Sequence, residues 1–402
     1  MADYNYTPLL TTKLLDTAGN SLIKRDISEK ILDLDSLSYP LTAIIKSKYL
    51  KNKVGGVSAP AKHYEFEVMY SPTHSLTTTA SASATMANPL TINVADATVF
   101  VEDMVVMNVT TQELYLVTAV DYSADTITVD TASIETCSSN VTNGDKLFPL
   151  GTAKAEAGDF GSGRIINLEI DSNYTQIFET PVESSLRATA IAAYGDDPSR
   201  WERTRRDAAI THQIDMERAF IWGKKSKTTT SDGIRTTTNG FVNSIDSGNI
   251  WDASSSYGSS FTKSALDSFL ADVFNYSNGR RVKFAFGNNA FLSKFNTLMD
   301  GYIRIGQSEK LFGWSYTHYK AYYGDLYIFP HRLLTEYMDD KAMALIIDPD
   351  YINYKPLKGF DTSVIKLDPA SYKAYKVGEV IYTDAGLELL YPQSHGLILG
   401  IS

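Results

Sequence analysis

The sequence contains one cysteine, no long apolar run and no leader of the secretory type. With Cys137 alone, a disulfide within the chain and a cysteine-based zinc site are both excluded, and we interpret this residue as a buried thiol. No run of apolar residues approaches the roughly 18–20 that a membrane helix needs, so we expect no membrane partner. The first residues lack the basic start and apolar centre of a signal peptide, and we therefore expect synthesis in a reducing cytosol.

The motifs of common catalytic and cofactor sites are missing as well. The sequence has no P-loop, no dinucleotide-binding glycine pattern, no HExxH and no GxSxG. The six histidines lie far apart without a partner at metal-ligand spacing, so we expect no metal, no cofactor and no enzyme activity. One acidic cluster is interpreted as turns that bound a strand, with a scattered enzyme site around it as the alternative: Asp339, Asp340, Asp348 and Asp350.

The composition is that of a folded protein with a net negative charge. A hydrophobic fraction of 43% over 402 residues supports two or three domains with sizeable cores. The net charge of −10 argues against a broad nucleic-acid-binding surface, because such binding depends on Lys and Arg neutralising phosphates. The same charge is compatible with a protein that encloses nucleic acid without adhering to it.

The strongest helix prediction in the chain covers residues 198–223. Asp197 is suited to cap its start and Pro198 to its first position, and the interior has no further Gly or Pro. Gly223 is expected to end the helix in the left-handed conformation. At about 1.5 Å per residue the helix would be about 38 Å long. We interpret it as a rigid strut, with an ordinary amphipathic core helix as the alternative.

The faces of this helix differ sharply in chemistry. An apolar stripe at three- and four-residue spacing is formed by Trp201, Ala208, Ala209, His212, Met216 and Phe220, of which we expect Trp201, His212, Met216 and Phe220 to carry the packing. The other faces are densely charged and include Glu217. For the basic side chains we consider a solvated surface, or contact with a neighbouring subunit or with DNA: Arg203, Arg206, Arg218, Lys224 and Lys225.

The first half of the chain is predicted to hold an arm, a hairpin and an inserted β domain. In the arm, residues 1–45, a short helix through Ile31 and Leu32 is expected to end at Pro40. Strands at 62–70 and 164–170 are expected to pair as one long hairpin. Between them, small-residue linkers flank short strand candidates of an all-β domain at 80–151. The candidates are 90–94, 104–108, 113–120, 126–130 and 146–150.

The second half alternates helices and strands, which predicts an α/β or α+β body. Helices are expected at 186–193, 264–276 and 289–300, and strands at 282–287, over YGDLYIFPHRLL and over KAMALIID. In the tail we expect a strand pair with a turn at 384–386, closed by a last apolar strand.

The order of these parts resembles that of the major capsid proteins of tailed bacteriophages, which have the Hong Kong 97-like fold. Three stretches are similar to one branch of those proteins: ISEKILDLDSLSYPLTAII at 27–45, IDMERAFIWGK at 214–224 and EVIYTDAGLELLYPQSHGLI at 379–398. The likeness implies an α+β capsid fold, with an inserted small all-β domain that is outside the common core of the family.

The resemblance implies both a division of the chain and a function. The parts would be an N-terminal arm (1–45), an E-loop hairpin (46–79 and 152–182), the β insert (80–151), a P-domain with the spine helix (183–262), an A-domain (263–350) and returning strands (351–402). The chain would assemble into hexamers and pentamers of an icosahedral shell around double-stranded DNA. Portal, scaffolding and decoration proteins would be further partners. Another virion or encapsulin-like shell protein is the first alternative, and a secreted adhesin conflicts with the missing leader.

Overall fold

The computed structural model describes residues 16–17, 20–21, 39–52, 65–70, 78–156, 169–190, 200–276, 281–299, 310–311, 314–367 and 375–401. Seven α-helices lie in these residues: α1 (Pro40–Asn52), α2 (Leu186–Ala190), α3 (Arg200–Trp222), α4 (Phe241–Ser244), α5 (Lys263–Asn275), α6 (Asn289–Met299) and α7 (Arg332–Tyr337).

The strands of the described residues are mostly short, and one of them, β23, is long. They are β1 (Asp16–Thr17), β2 (Asn20–Ser21), β3 (Glu65–Tyr70), β4 (Thr78–Thr79), β5 (Leu90–Asn93), β6 (Met104–Asn108), β7 (Leu114–Asp121), β8 (Thr126–Asp130), β9 (Lys146–Thr152), β10 (Glu169–Tyr174), β11 (Gln176–Ser185), β12 (Ser226–Thr230), β13 (Gly233–Thr237), β14 (Ile250–Trp251), β15 (Val282–Gly287), β16 (Lys310–Leu311), β17 (Trp314–Ser315), β18 (Thr317–Lys320), β19 (Asp325–Pro330), β20 (Ala342–Ile347), β21 (Ile352–Pro356), β22 (Ser363–Leu367), β23 (Lys376–Leu389) and β24 (Gly396–Ile401).

Residues 69–171 form one compact unit around an antiparallel sheet of six strands. The strand order is β4-β9-β6-β7-β8-β5. Alternate residues of β6 and β8 are buried, as expected for strands with one face toward a core. The strand predictions at 104–108 and 126–130 coincide with β6 and β8. The buried face packs into a core of its own that includes Phe100 and Tyr115.

The rest of the chain forms the second unit, built around a mixed sheet of six strands in the order β14-β24-β20-β15-β19-β18. Both faces of this sheet are covered. Along β20 the side chains alternate between two cores, so that Met343 and Leu345 face one and Ala344 and Ile346 face the other. Helices α5 and α6 contribute to the second core, and α1 and α3 contribute to the first.

A second sheet of this unit carries the long helix α3. In it β23 pairs with β11 on one side and with β21 and β22 on the other. The strand β11 follows β10, which pairs with β3. This pairing joins Glu65–Tyr70 to Glu169–Tyr174, and it shares residues 65–70 and 169–170 with the predicted hairpin, whose residues 62–64 and 164–168 lie outside the described residues.

The turn predicted at 384–386 is wrong, because β23 runs without interruption from Lys376 to Leu389. Gly386 is buried inside this strand, and a Cβ atom there would lie 2.7 Å from the ring of Phe66 and 2.8 Å from the carbonyl oxygen of Tyr174. The glycine therefore allows a close approach of neighbouring segments and does not form a turn.

Two further predictions rest on prolines, and one of them fails. Pro40 begins helix α1, which suits a residue without a backbone N–H at the first helical position. The helix predicted before it, through Ile31 and Leu32, lies outside the described residues. The strand predicted over YGDLYIFPHRLL ends at Pro330, and its last residues form helix α7.

Helix α3 ends for a different reason from the one expected. Its start at Asp197 lies outside the described residues, but its end at Trp222 is visible, and Gly223 does not take the left-handed conformation. A Cβ atom on Gly223 would lie 2.3 Å from the oxygen of Ala219 and 2.6 Å from that of Thr238. Gly240 donates its N–H to the Gly223 oxygen at 2.9 Å, so two glycines lie in contact where α3 meets the start of α4.

We predict that Gly223→Ala destabilises the folded chain by about 1–3 kcal/mol, because both atoms that the new methyl group meets belong to the backbone. Gly248→Ala is the matched control, since a Cβ atom at Gly248 meets nothing within 4 Å. Urea unfolding followed by circular dichroism measures both variants. Equal unfolding midpoints for the two would show that the glycine contact is not tight.

Candidate functional site

The second half of helix α3 is buried and contributes side chains to the first core. The predicted packing residues His212, Met216 and Phe220 are buried there, together with Ile221. The Phe220 ring lies edge to face with Phe178 at 6.1 Å between ring centroids. It contacts Tyr354 in the same way at 6.2 Å. This half of the strut is thus fixed to β11 and β21 by aromatic contacts.

The first half of the same helix is largely exposed. Trp201 is half-buried, while residues 204–207 are exposed, and Ala209, expected on the apolar stripe, is exposed as well. Arg205 holds this half to the sheet, since its Nε lies 2.6 Å from Glu379 Oε2 on β23. The sequence pattern did not single out Arg205, because its partner lies 174 positions away.

His212 lies between two threonine hydroxyls in the interface between α3 and the sheet. Its Nδ1 is 3.0 Å from Thr180 Oγ1 and its Nε2 is 2.8 Å from Thr383 Oγ1. Burial, and secondarily the charge of Lys46, lower the pKa of His212 to about 4. The side chain is therefore neutral near pH 7 and serves as a hydrogen-bonding link.

Glu217 is the main feature that the sequence pattern missed. We expected it on a charged face, but its side chain is fully buried. One carboxylate oxygen accepts the N–H of Leu41 at 2.9 Å and the other accepts that of Thr42 at 2.6 Å, and the Thr42 hydroxyl donates to the same carboxylate. The carboxylate thereby caps helix α1 from 175 residues away.

The fourth partner of Glu217 is a buried histidine. His331 Nε2 lies 2.8 Å from Glu217 Oε1, and both side chains are fully shielded from solvent. A buried carboxylate is stable in a protein interior only when its oxygens are fully hydrogen-bonded. At Glu217 the dipole at the N-terminus of α1 adds a further favourable interaction. The Glu217 carboxylate thus joins α1, α3 and the residue before α7.

The predicted basic residues lie at several different kinds of site. Arg206 and Lys224 are exposed and Arg203 is half-buried. Arg218 forms an exposed ion pair with Asp215 at 3.2 Å, one helical turn away. Lys225 is engaged within its own chain, because its Nζ donates to the oxygen and hydroxyl of Ser172 and lies 5.2 Å from the centroid of the Tyr174 ring.

The acidic cluster does not act as a unit. Asp339 and Asp340 are exposed, whereas Asp348 is buried and lies 3.3 Å from the buried Lys283 Nζ. His395 accepts the Asp348 N–H on Nδ1 at 3.2 Å, and burial lowers the pKa of this histidine to about 3. The strand β20 does lie between these acids, as the turn interpretation requires.

Within the described part of the chain, no group of His, Cys, Asp and Glu is arranged to hold a metal ion. No helix of that part is long and apolar enough to span a membrane. Cys137 is buried, and burial together with the nearby charge of Glu113 raises the pKa of its thiol to about 11. A thiol in that state is a poor nucleophile.

Comparison with known proteins places the chain in a family of structural proteins. The family model described as SU10 major capsid protein matches residues 10–402, so the chain belongs to that family. It is also 24% identical over 281 residues to the major capsid protein of Pseudomonas phage PaMx41. That alignment covers 64% of this chain and 66% of the phage protein. The resemblance to phage major capsid proteins predicted from the sequence is confirmed.

Solved structures of capsids are also similar over most of the chain. The capsid of an empty GTA particle is 13% identical, covers 97% of this chain and 98% of its own, and has a TM-score of 0.47. A chain from the solved structure of Mycobacterium phage Che8 is 11% identical, the match covers 95% of this chain and 98% of that one, and the TM-score is 0.45.

We predict that Glu217→Gln destabilises the chain by about 3 kcal/mol, because an amide cannot accept from Leu41, Thr42 and His331 at once. Hydrogen exchange gives the specific readout, since the amides of Leu41 and Thr42 should lose protection. Asp215→Asn on the same helix is the control, and its exposed pair with Arg218 contributes less than about 1 kcal/mol. Unchanged protection of the two amides in Glu217→Gln would contradict the capping role.

Acid should destabilise the folded chain through its two buried neutral histidines. The unfolded chain takes up a proton at each near pH 6.5, whereas His212 and His395 in the folded chain do so only near pH 4 and pH 3. Each histidine therefore costs the folded state stability as the pH falls from about 6.5 to about 4, by up to about 1.4 kcal/mol per pH unit.

His212→Gln should reduce the loss of stability with falling pH by about one bound proton, while Ala209→Gln, at an exposed position of the same helix without a titratable group, should leave it unchanged. Urea unfolding midpoints at pH 6.5, 5.5 and 4.5 measure the slope for each variant. If wild type and His212→Gln lose stability in parallel, the pKa of His212 is not lowered in the folded chain.

Proposed function

We propose that this chain is the building block of an icosahedral phage shell that encloses double-stranded DNA, and that it assembles there as hexamers and pentamers. The observation that carries the proposal is the family match, which spans residues 10–402 and so includes both compact units. In finer terms we propose the Hong Kong 97-like arrangement, with α3 as the spine helix and the six-stranded mixed sheet as the A-domain. Residues 80–151 would be an insertion in the E-loop.

The packing of the chain supports a role as a rigid tile. Helix α3 is fixed at Glu217 by buried hydrogen bonds to α1 and His331, and at His212 by contacts to β11 and β23. Buried polar groups of this kind are satisfied in one arrangement only, so the parts they join move together. A shell needs such a tile, because many weak contacts add up only when their relative positions are fixed.

Exposed apolar side chains on the sheet that carries α3 support contact with other copies. Large hydrophobic residues on its strands and in the segments next to them are 40–87% exposed: Ile177, Leu186, Phe360, Val364, Ile365 and Tyr375. The exposed charges of α3, including Arg206 and Arg218, lie in the same unit. We propose that contacts between copies cover part of these surfaces.

The net charge of the chain supports a shell that encloses DNA without binding it tightly. A net charge of −10 gives weak attraction for phosphates overall, which favours enclosure without sequence-specific binding. We propose that the chain assembles in the host cytoplasm with portal, scaffolding and decoration proteins as separate partners. A non-enzymatic role agrees with the family to which it belongs.

The test is negative-stain electron microscopy of the purified full chain, expressed alone and together with the products of neighbouring genes. We expect closed shells or six-membered rings, together with a sedimentation coefficient far above that of a 44.4 kDa monomer. The DNA content of shells isolated from infected cells then tests enclosure. A monodisperse monomer or dimer under every condition would refute the shell-forming role.

A further inference from the structure

An open groove of about 680 Å³ lies along the outer face of helix α5, next to the turn between β18 and β19. Its floor is made of small side chains, Ser264, Ser268 and Ala271, at four- and three-residue spacing on one helix face. Three charged side chains, Lys263, Asp267 and Asp272, border this floor, and Tyr323 from the turn forms one wall. Small side chains let another segment approach the helix closely.

One carboxylate of the groove is held by a tyrosine hydroxyl. Tyr257 donates its hydroxyl to Asp272 Oδ2 at 2.7 Å. With two acids and one lysine along its lining, the groove carries a net negative charge beside a floor of small, uncharged residues.

The turn between β18 and β19, beside the groove, carries an exposed aromatic ring and basic side chains. Tyr322 at its tip is 97% exposed, with its ring edge to face with Tyr323 at 5.7 Å between centroids. Two exposed cations belong to the segments at this turn, Lys320 at the end of β18 and Arg281 before β15, and the half-buried Asp325 faces Lys320 across the strand pair. An exposed aromatic ring beside basic residues is a typical anchor of a protein interface.

The turn is held rigidly, which lowers the entropy lost on binding. A Cβ atom on Gly324 would lie 2.4 Å from the Arg281 oxygen and 2.5 Å from the Phe274 ring, so the chain passes tightly over this point. The Asp325 N–H also bonds to the Arg281 oxygen at 2.8 Å. Arg281 itself is fixed in the left-handed conformation at φ 48°.

We propose that the α5 groove of one copy binds the Tyr322 turn of a second copy. The occupant is another copy of this chain because the two surfaces have opposite net charge. In the groove Asp267 and Asp272 outnumber Lys263. At the turn Lys320 and Arg281 outnumber Asp325. Tyr322 does not fill its own groove: its ring is almost fully exposed, and the groove wall is its neighbour Tyr323. The inference rests on the proposed shell-forming function.

A contact of this kind joins two different patches and so runs from each copy to the next. Such head-to-tail contacts close into rings when the rotation between copies permits it. The buried Tyr322 ring would supply most of the affinity, since aromatic anchors dominate interface energies. The charge pairs at the rim would set the orientation and the rate of association.

The first experiment uses light scattering to measure the lowest protein concentration at which the full chain assembles, for the wild type and for each variant. Tyr322→Ala and Asp267→Lys should each raise this concentration by about tenfold or more. Tyr122→Ala, at a tyrosine that is 55% exposed in the smaller unit, and Asp339→Lys should change it by less than about twofold. The double variant Asp267→Lys with Lys320→Glu should assemble better than Asp267→Lys alone, because the charge pair is restored in reverse.

The second experiment is crosslinking between two differently tagged chains, one with Tyr322→Cys and one with Ser268→Cys. A short bismaleimide should join them during assembly, and it should not join Tyr375→Cys to Ser268→Cys. The natural Cys137 is buried and does not compete.

The outcomes separate the two proposals. If wild type assembles and the Tyr322 and Asp267 variants do so equally well without crosslinking, the groove contact is refuted while the shell-forming function stands. If Asp267→Lys weakens assembly and Tyr322→Ala does not, the groove binds something other than the turn, and the contact is again refuted. If wild type does not assemble under any condition, both proposals fail.

Discussion

The fold of the larger unit depends on the burial of one carboxylate. Glu217 has no solvent contact, and its two oxygens accept from the N-terminus of α1 and from His331. A carboxylate in a protein interior loses its hydration, and the loss is offset only when all of its partners are present. Helix α1, helix α3 and the segment before α7 must therefore be in place together, which makes this part of the chain cooperative.

Two other buried polar centres extend the same constraint across the unit. His212 connects α3 to β11 and β23 through two threonines, and Lys283 connects β15 to Asp348 after β20. Each centre joins segments that are far apart in sequence. A hydrogen-bonded network with a single satisfied arrangement specifies one packing among the many that apolar contacts alone would permit. Rigidity of the tile thus follows from its buried polar groups as much as from its cores.

The sequence predicted strands well where the residue pattern within the strand is sufficient to define it. Strands at 104–108, 126–130 and 282–287 show regular alternation or a short buried run with polar turns nearby, and the structure has them at the same residues. The failures share one cause, which is that a glycine or proline has more than one use. Gly223 and Gly386 allow close approach of distant backbone, and Pro330 ends a strand whose predicted continuation forms helix α7. A sequence window shows the residue but not the segment that lies against it.

The same limit explains what could be predicted of the candidate site. The spacing of His212, Met216 and Phe220 showed a buried face, since spacing is a property of the helix alone. The burial of Glu217 depends on α1, whose first residues bind its carboxylate, and no helical periodicity in 198–223 contains that information. Conversely, Arg205 and Lys225 resemble surface charges in the sequence, yet they bind Glu379 and Ser172 in their own chain. Charges that bind within a chain orient the strut, whereas only those that remain exposed, such as Arg206, are available to position one copy against the next.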